Sequence, residues 1–251
     1  MSGADQRTIF ADTILKSLNS NNRLRIQGLT AFMASKGMKY NGELMVVGRA
    51  TNGWKTEFER KDMRCSNSRD EVALDAYSHA QASEGICPLG WVTAGPNEDN
   101  GYNAARSAFW QVARNLLRAI KVADSEPNDW SSYLAWSNLY KIAPASGGNP
   151  GDALCDAQEE GCKKLFQAEL RDFKPKRVLF MTGRCWANTF LEKTATETKF
   201  KAAVHVEQCG TIVGNGLKVP YVITGHPQGK SGTREEWAAE ILAAFEVASL
   251  K

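Results

Sequence analysis

Three short apolar runs in this chain stop abruptly on polar turns marked by glycine or proline, and this repeated junction constrains the fold more than any other feature. LMVVG (44–48) runs into Arg49-Ala50-Thr51-Asn52-Gly53, YLAW (133–136) into Ser137-Asn138, and YVI (221–223) into Thr224-Gly225-His226-Pro227. Runs of that length, rich in Val, Ile, Tyr and Leu, read as buried strands. The polar residues then lie beyond their carboxyl ends, where open α/β sheets bind ligands. Three such junctions, each with hydrogen-bonding side chains, point to one crevice for a polar, planar ligand.

Between the junctions the pattern alternates. Helical periodicity covers 5–18 and 23–35, and the first strand follows at 43–47. From 55 to 103 the pattern dissolves into charged residues, Gly, Pro and Asn, with local helix expected at 69–81 and turns at Cys87-Pro88 and Gly95-Pro96. A loop-rich insertion of this size often serves as a lid or substrate contact. A helix is expected over 104–122, with Phe109, Val112, Leu116, Leu117 and Ile120 on one stripe, and a second strand over 130–139. Helices at 153–173, 183–191 and 233–249, the last capped by Thr233 or Ser231, enclose strands at 177–182 and 219–224. Short strands at 202–206 and 211–213 complete the list, one of them in an edge hairpin turning at Gly214-Asn215-Gly216. Such alternation predicts one α/β domain over 1–251, three-layered α/β/α, with a mainly parallel twisted sheet covered on both faces.

At 251 residues, 43% hydrophobic and 24% charged, the composition is that of a globular protein with a substantial core. The amino-terminal stretch has no signal-peptide core and no long apolar run occurs, so the expectation is a cytoplasmic, non-membrane protein, monomeric by default. A net charge of +3 permits a nucleic-acid partner without demanding one. The six cysteines show no C-x-x-C pair, so reduced and mostly buried thiols are expected rather than a zinc site or disulfide framework.

The first junction, GRATNGW, is either a plain tight turn or a place where a ligand approaches backbone amides closely. It is neither a dinucleotide fingerprint nor a phosphate loop, because the Lys-Ser/Thr is missing. Asn138 offers a donor and an acceptor together, suited to the edge of a pyrimidine-like base or to capping a strand end. His226, beside Pro227, is either a fixed loop histidine or a donor to an oxygen that gains charge in a transition state. His79 and His205 lack that setting and read as surface or packing residues.

In order and spacing these segments resemble the uracil-DNA glycosylase superfamily, with its Gly-x-x-Pro-Gly-type loop, an Asn ending a middle strand, and a late His-Pro-Ser-type loop. WSNLYKIAP, NPGDALCDAQEEGCKKLFQAEL and FKPKRVLFMTGRCWANTFL follow the iron–sulfur glycosylases in particular. The resemblance covers most of the chain from Leu44 onward, apart from the insertion. It implies that Asn138 reads a flipped-out base in DNA, that His226 stabilises the base oxygen, and that the backbone of Gly48, Arg49, Ala50 and neighbours positions base or water. Trp54, Phe58, Phe109 and Trp110 are candidate stacking partners. Lys230, Ser231 and Arg234 are candidate phosphate contacts near a helix amino terminus.

The chain also departs from the family. Ile142 stands where one cluster cysteine falls and only Cys162 occupies a ligand-like position, so no iron–sulfur cluster, metal or other cofactor is expected. Arg49 replaces the acidic residue of many relatives and cannot act as a base. Asn52 is the candidate to orient a water, and Glu57 and Glu59 read as solvated charges. The His226 loop lacks an apolar wedge. The leading expectation is a monofunctional DNA glycosylase. The alternatives are a non-catalytic nucleic-acid or nucleobase-binding protein and a nucleoside-acting hydrolase.

Overall fold

The computed structural model describes residues 3–21, 24, 26, 28–83, 85–96, 102–122, 128–201, 203–214 and 216–250. The chain opens with α1 (Gly3–Ile9), widens to a π-helical turn over Phe10–Leu15 and continues as α2 (Lys16–Ser20). Then come β1 (Gly28–Ala31), β2 (Ser35–Lys36), β3 (Met45–Gly48), β4 (Thr56–Glu59) and α3 (Ser66–Ser78). α4 (Ala108–Ala119) precedes β5 (Ala135–Asn138), β6 (Ile142–Pro144) and the long α5 (Asp152–Phe173). β7 (Val178–Met181), α6 (Arg184–Leu191), β8 (Ala195–Thr198), β9 (Val206–Gly214), β10 (Leu217–Thr224) and α7 (Arg234–Ser249) complete the chain. The protein is thus mixed α/β. The described part divides into two compact units, one formed by 1–34, 48–81 and 137–174, the other by 35–47, 82–136 and 175–251.

A seven-stranded mixed sheet has the order β2-β5-β3-β7-β10-β9-β8; its residues belong to the second unit except Gly48, Ser137 and Asn138, which count with the first. β7 pairs parallel with both β3 and β10. β5 runs parallel to β3, since Ala135 N donates to Leu44 O at 3.0 Å and Leu139 N to Gly48 O at 2.9 Å. Every residue of β3 and β7 is buried, which is why both read as unbroken apolar runs rather than alternating ones. The four parallel strands, counted in chain order, lie 2-1-3-4, so the order reverses between β3 and β7. Open α/β sheets bind ligands outside the carboxyl ends at such a reversal. α7 packs on β9 and β10, and α4 on α7; the buried residues of α4 include Phe109, Val112 and Leu116. Thr233 and Glu236 close the start of α7 as a reciprocal capping box.

The first unit carries a three-stranded antiparallel sheet of order β4-β1-β6, with α5 packed against Phe10–Leu15. Gly161 makes that approach possible, since a Cβ there would stand 2.6 Å from Ile14 Cγ1. Arg60 donates to the carbonyls of Leu18, Asn21 and Leu24, satisfying backbone groups in the last turn of α2 and just past it.

Several expectations are corrected. The segment 23–35 is not a helix: β1 and β2 occupy it, because β1 gains partners on both sides that outweigh a local helical pattern (residues 23, 25 and 27 lie outside the described ones). The sheet is mixed rather than mainly parallel, since β2, β9 and β8 all pair antiparallel. The stretch 55–103 is not loop-rich throughout. It holds β4, a 3-10 turn at Arg60–Arg64 and α3 in the first unit, and a 3-10 turn at Gly90–Val92 in the second. Residues 84 and 97–101 of it lie outside the described ones. The expected helix over 104–122 is split by extended Ser107, and the strand over 130–139 begins only at Ala135, after a 3-10 turn. A continuous β9 replaces the two short strands; Ala202 and Asn215 lie outside the described residues.

Candidate functional site

In the first unit, two of the three polar junctions lie side by side. Leu139 N donates to Gly48 O and Tyr140 N to Arg49 O, both at 2.9 Å, so the backbone leaving β3 is tied to the backbone leaving β5. Arg49 and Ala50 are half-buried. Thr51 is buried, and its Oγ1 has no hydrogen-bond partner among the described residues. Asn52 is exposed, and its Oδ1 accepts from Gly148 N at 2.5 Å, which uses one lone pair of the carbonyl expected to orient a water. Gly53 has φ 79°, the left-handed conformation that lets the chain turn back into β4.

Asn138 is 2% exposed, and its Nδ2 also has no acceptor among the described residues. Its position is fixed by a buried network. Lys141 Nζ donates to Asn138 O at 2.6 Å and to Ser137 Oγ at 2.7 Å, and lies 2.7 Å from Glu169 Oε1. Ser137 Oγ in turn donates to Glu169 Oε2 at 2.7 Å. The Lys141 and Glu169 side chains are both 0% exposed. Burial pushes the Glu169 carboxyl above its ordinary range, and the attraction and hydrogen bonds of Lys141 and then Ser137 pull it back only in part. Gln158 completes the clamp: its Oε1 accepts from Lys141 N at 3.0 Å and Ile142 N at 2.8 Å, and its Nε2 donates to Ile142 O at 2.8 Å.

Two residues in and beside the clamp, Ile142 and Cys162, stand at the positions considered for an iron–sulfur cluster. Ile142 offers no metal donor. Cys162 is buried, its Sγ donates to Gln158 Oε1 at 3.4 Å, and burial pushes the thiol up to about 12. These residues do not fit a cluster, which needs thiolates. Among the described residues no group of three or more His, Cys, Asp or Glu side chains is placed to hold a metal ion. The cysteines are free but not mostly buried: Cys162 and Cys209 are, Cys87 and Cys155 are half-buried, and Cys65 and Cys185 are exposed.

In the second unit, His226 is half-buried past the end of β10. Its Nδ1 accepts from Gln228 N at 3.2 Å, which leaves the ring hydrogen on Nε2 and makes Nε2–H the donor. The ring stacks on Phe109, with centroids 6.2 Å apart and planes 24° from parallel. Phe109 touches Trp110, and Trp110 is part of a cluster with Trp91, Trp130 and Trp136. Phe109 and Trp110 are themselves buried. Lys230 and Ser231 are exposed on the loop, whose Ser231 O accepts from Trp237 Nε1 at 3.1 Å. Arg234 Nε donates to Gln111 Oε1 at 3.3 Å. The start of α7, expected to attract phosphate, already has its capping box and carries Glu235 and Glu236 in its first turn, a poor setting for an anion.

Among the other expected residues, Phe58 lies on the buried face of β4, whereas Trp54 is half-buried, with its ring edge-on to Phe32 at 5.4 Å. Glu57 is exposed and Glu59 half-buried. His205 is a packing residue, stacked on Trp237 at 4.3 Å. Sequence reasoning missed Ser137, Lys141, Gln158 and Glu169 as the supports of Asn138. A signal existed: Gln158 and Glu169 fall in phase with buried Cys162 and Leu165 on one face of α5, where polar residues need buried partners.

No protein-family model matches the chain, and no curated protein matches it. Among the described residues no helix is long and apolar enough to cross a membrane.

Proposed function

We propose that the protein is a DNA glycosylase. It hydrolyses the N-glycosidic bond of uracil or another altered base flipped out of DNA, on a three-layer frame of the uracil-DNA glycosylase kind. The observation that carries this reading is the buried Asn138 amide, unpartnered at Nδ2 among the described residues, on a residue whose backbone carbonyl accepts from Lys141 Nζ. An unsatisfied buried donor costs about 1–3 kcal/mol, a penalty that a base carbonyl bound at Nδ2 removes. Thr51 Oγ1, in the loop tied to the same segment, carries a second unmet polar group.

In this reading Asn138 recognises the edge of the base, as flipped bases are read by hydrogen bonds to their pairing edge. The backbone of Gly48, Arg49 and Ala50 positions the base, Trp54 offers a ring to stack on, and Asn52 keeps a second lone pair to direct a water. Lys230 and Ser231 contact phosphate. The chemistry calls for no metal or organic cofactor. Incubation with oligonucleotides containing uracil, hypoxanthine or modified cytosine, followed by alkaline cleavage, tests the proposal; strand breaks at the altered base support it, and intact strands across the panel overturn it.

Arg49 motivates a second reading, a nucleobase-binding protein without turnover, because a guanidinium cannot accept a proton from water. Tight binding of the same oligonucleotides with no abasic product selects it.

A further inference from the structure

The whole chain has a net charge of only +3, yet residues 102–122 carry Arg106, Arg114, Arg118 and Lys121 and no Asp or Glu. All four lie in the second unit, on α4 and its flanks. Gln111, Arg114 and Arg118 follow at steps of three and four residues, the spacing of neighbours along one face of a helix. Lys121 stands just past the end of α4, in a left-handed conformation with φ 57°. Gln111 fixes the head of the row. Its Nε2 donates to Ala105 O at 2.9 Å and its Oε1 accepts from Arg234 Nε at 3.3 Å, tying the turn that carries Arg106 to the helix.

Nothing in the fold neutralises this row. Arg114 is half-buried, and Arg106, Arg118 and Lys121 are exposed. Among the described residues none of the four takes part in an ion pair. The positions three and four away from Arg114 hold Trp110, Gln111, Leu117 and Arg118. Burial, and then the like charge of Arg118, pull the Arg114 guanidinium below its ordinary range, with no carboxylate among the described residues to offset them. Arg118 lies in the last turn, where the helix dipole favours a cation; Arg114, one turn earlier, lacks that compensation. Like charges at such spacing oppose the helix, and a polyanion relieves them.

Two features select nucleic acid over protein or lipid as the polyanion. The large apolar side chains Phe109, Trp110, Val112, Leu116 and Leu117 of α4 are all buried, so its exposed face has no anchor for a protein interface or a membrane surface. The helical rise sets Arg114 and Arg118 roughly 6 Å apart along the axis, about the advance of two nucleotides of one strand. Half-buried Asn115, next to Arg114, adds an amide donor of the kind that contacts phosphate oxygens.

We infer that the exposed face of α4, with Arg106, Arg114, Arg118 and Lys121, is a docking surface for the phosphate backbone of DNA. The choice of DNA rests on the proposed function, whereas the surface itself does not depend on catalysis. Phosphate contacts position a protein without reading sequence, so this face grips altered and unaltered strands alike.

The test is fluorescence anisotropy over a salt series, using labelled oligonucleotides with and without uracil, with melting and excision measured on the same preparations. One variant combines Arg114→Gln, Arg118→Gln and Lys121→Gln. The control makes the same charge change at exposed lysines on and beside β8, as Lys193→Gln, Lys199→Gln and Lys201→Gln. The α4 variant is expected to bind both oligonucleotides on the order of 10-fold more weakly at about 0.1 M salt, with the slope of log K against log salt flattened by roughly 2–3. The control is expected to keep the wild-type slope. Should Arg114→Gln lower the melting temperature, the exposed pair Arg118→Gln, Lys121→Gln decides alone, with an expected flattening of roughly 1–2. Wild-type affinity and slope in the α4 variants overturn the inference, as does equal weakening in the control, which marks net charge alone. Wild type that binds phosphatidylserine vesicles and no oligonucleotide also overturns it. Wild type that binds DNA through this face and excises nothing leaves the surface standing and overturns the glycosylase reading. Excision by wild type with unchanged DNA affinity in the α4 variants does the reverse.

Discussion

Replacing Lys141 by Met isolates the buried network that holds Asn138. The substitution keeps most of the apolar stem and removes the charge. Nζ contacts Glu169 Oε1, Ser137 Oγ and Asn138 O, all within 2.7 Å, and none of these contacts is shared with water because both charged side chains are fully buried. The variant leaves the Glu169 carboxylate with the Ser137 hydroxyl alone. Breaking a buried pair from one side costs about 3–5 kcal/mol. At about 2–4 °C per kcal/mol for a chain of this size, the melting temperature should fall on the order of 10 °C at neutral pH. The sign of the pH dependence follows from Glu169. Burial already raises its folded value, and losing Lys141 raises it further. Above about pH 4.3 the unfolded chain has released this proton while the native variant retains it, so the native state binds more protons. Stability from this group is therefore fully present below the unfolded value and is lost as pH rises through the folded one. Circular-dichroism melts should show a smaller deficit near about pH 5 than near about pH 8, and the double variant Lys141→Met, Glu169→Leu should recover much of the loss. A variant that melts with wild type at both pH values, or one whose deficit is larger in acid, refutes the reasoning.

Two other outcomes follow from the same geometry. Gln158→Leu strands the N–H groups of Lys141 and Ile142 and the carbonyl of Ile142. At about 1–3 kcal/mol for each buried group, urea denaturation should show a loss of about 3–6 kcal/mol, after allowance for partial relaxation. Asn138→Ala removes an amide whose Nδ2 is unsatisfied, so its stability should stay within about 1 kcal/mol of wild type while excision falls by roughly 10²-fold or more, both read on one preparation.

What was legible in the sequence was what local chemistry dictates. The runs at β3, β7 and β10 are apolar because both faces are buried, and the Thr233 capping box announces α7. The polar junctions were found where those runs end. The segment 23–35 was misread because a strand paired on both sides can carry the apolar spacing of a helix, and only the partners β4 and β6 reveal which it is. Those partners lie some 30 and 110 positions away in the chain, and nothing local encodes the pairing. The supports of Asn138 stayed hidden for the same reason. Lys141 and Glu169 look like ordinary charges until the packing of α5 brings them together.

The most direct measurement is a single-turnover time course of base release from a uracil-containing oligonucleotide, run with wild type and Asn138→Ala at matched, verified folding. The account predicts that wild type leaves an abasic site and free base while Asn138→Ala releases base at least roughly 10²-fold more slowly. Equal release by the two proteins, or none by wild type on uracil and on the other altered bases, contradicts it.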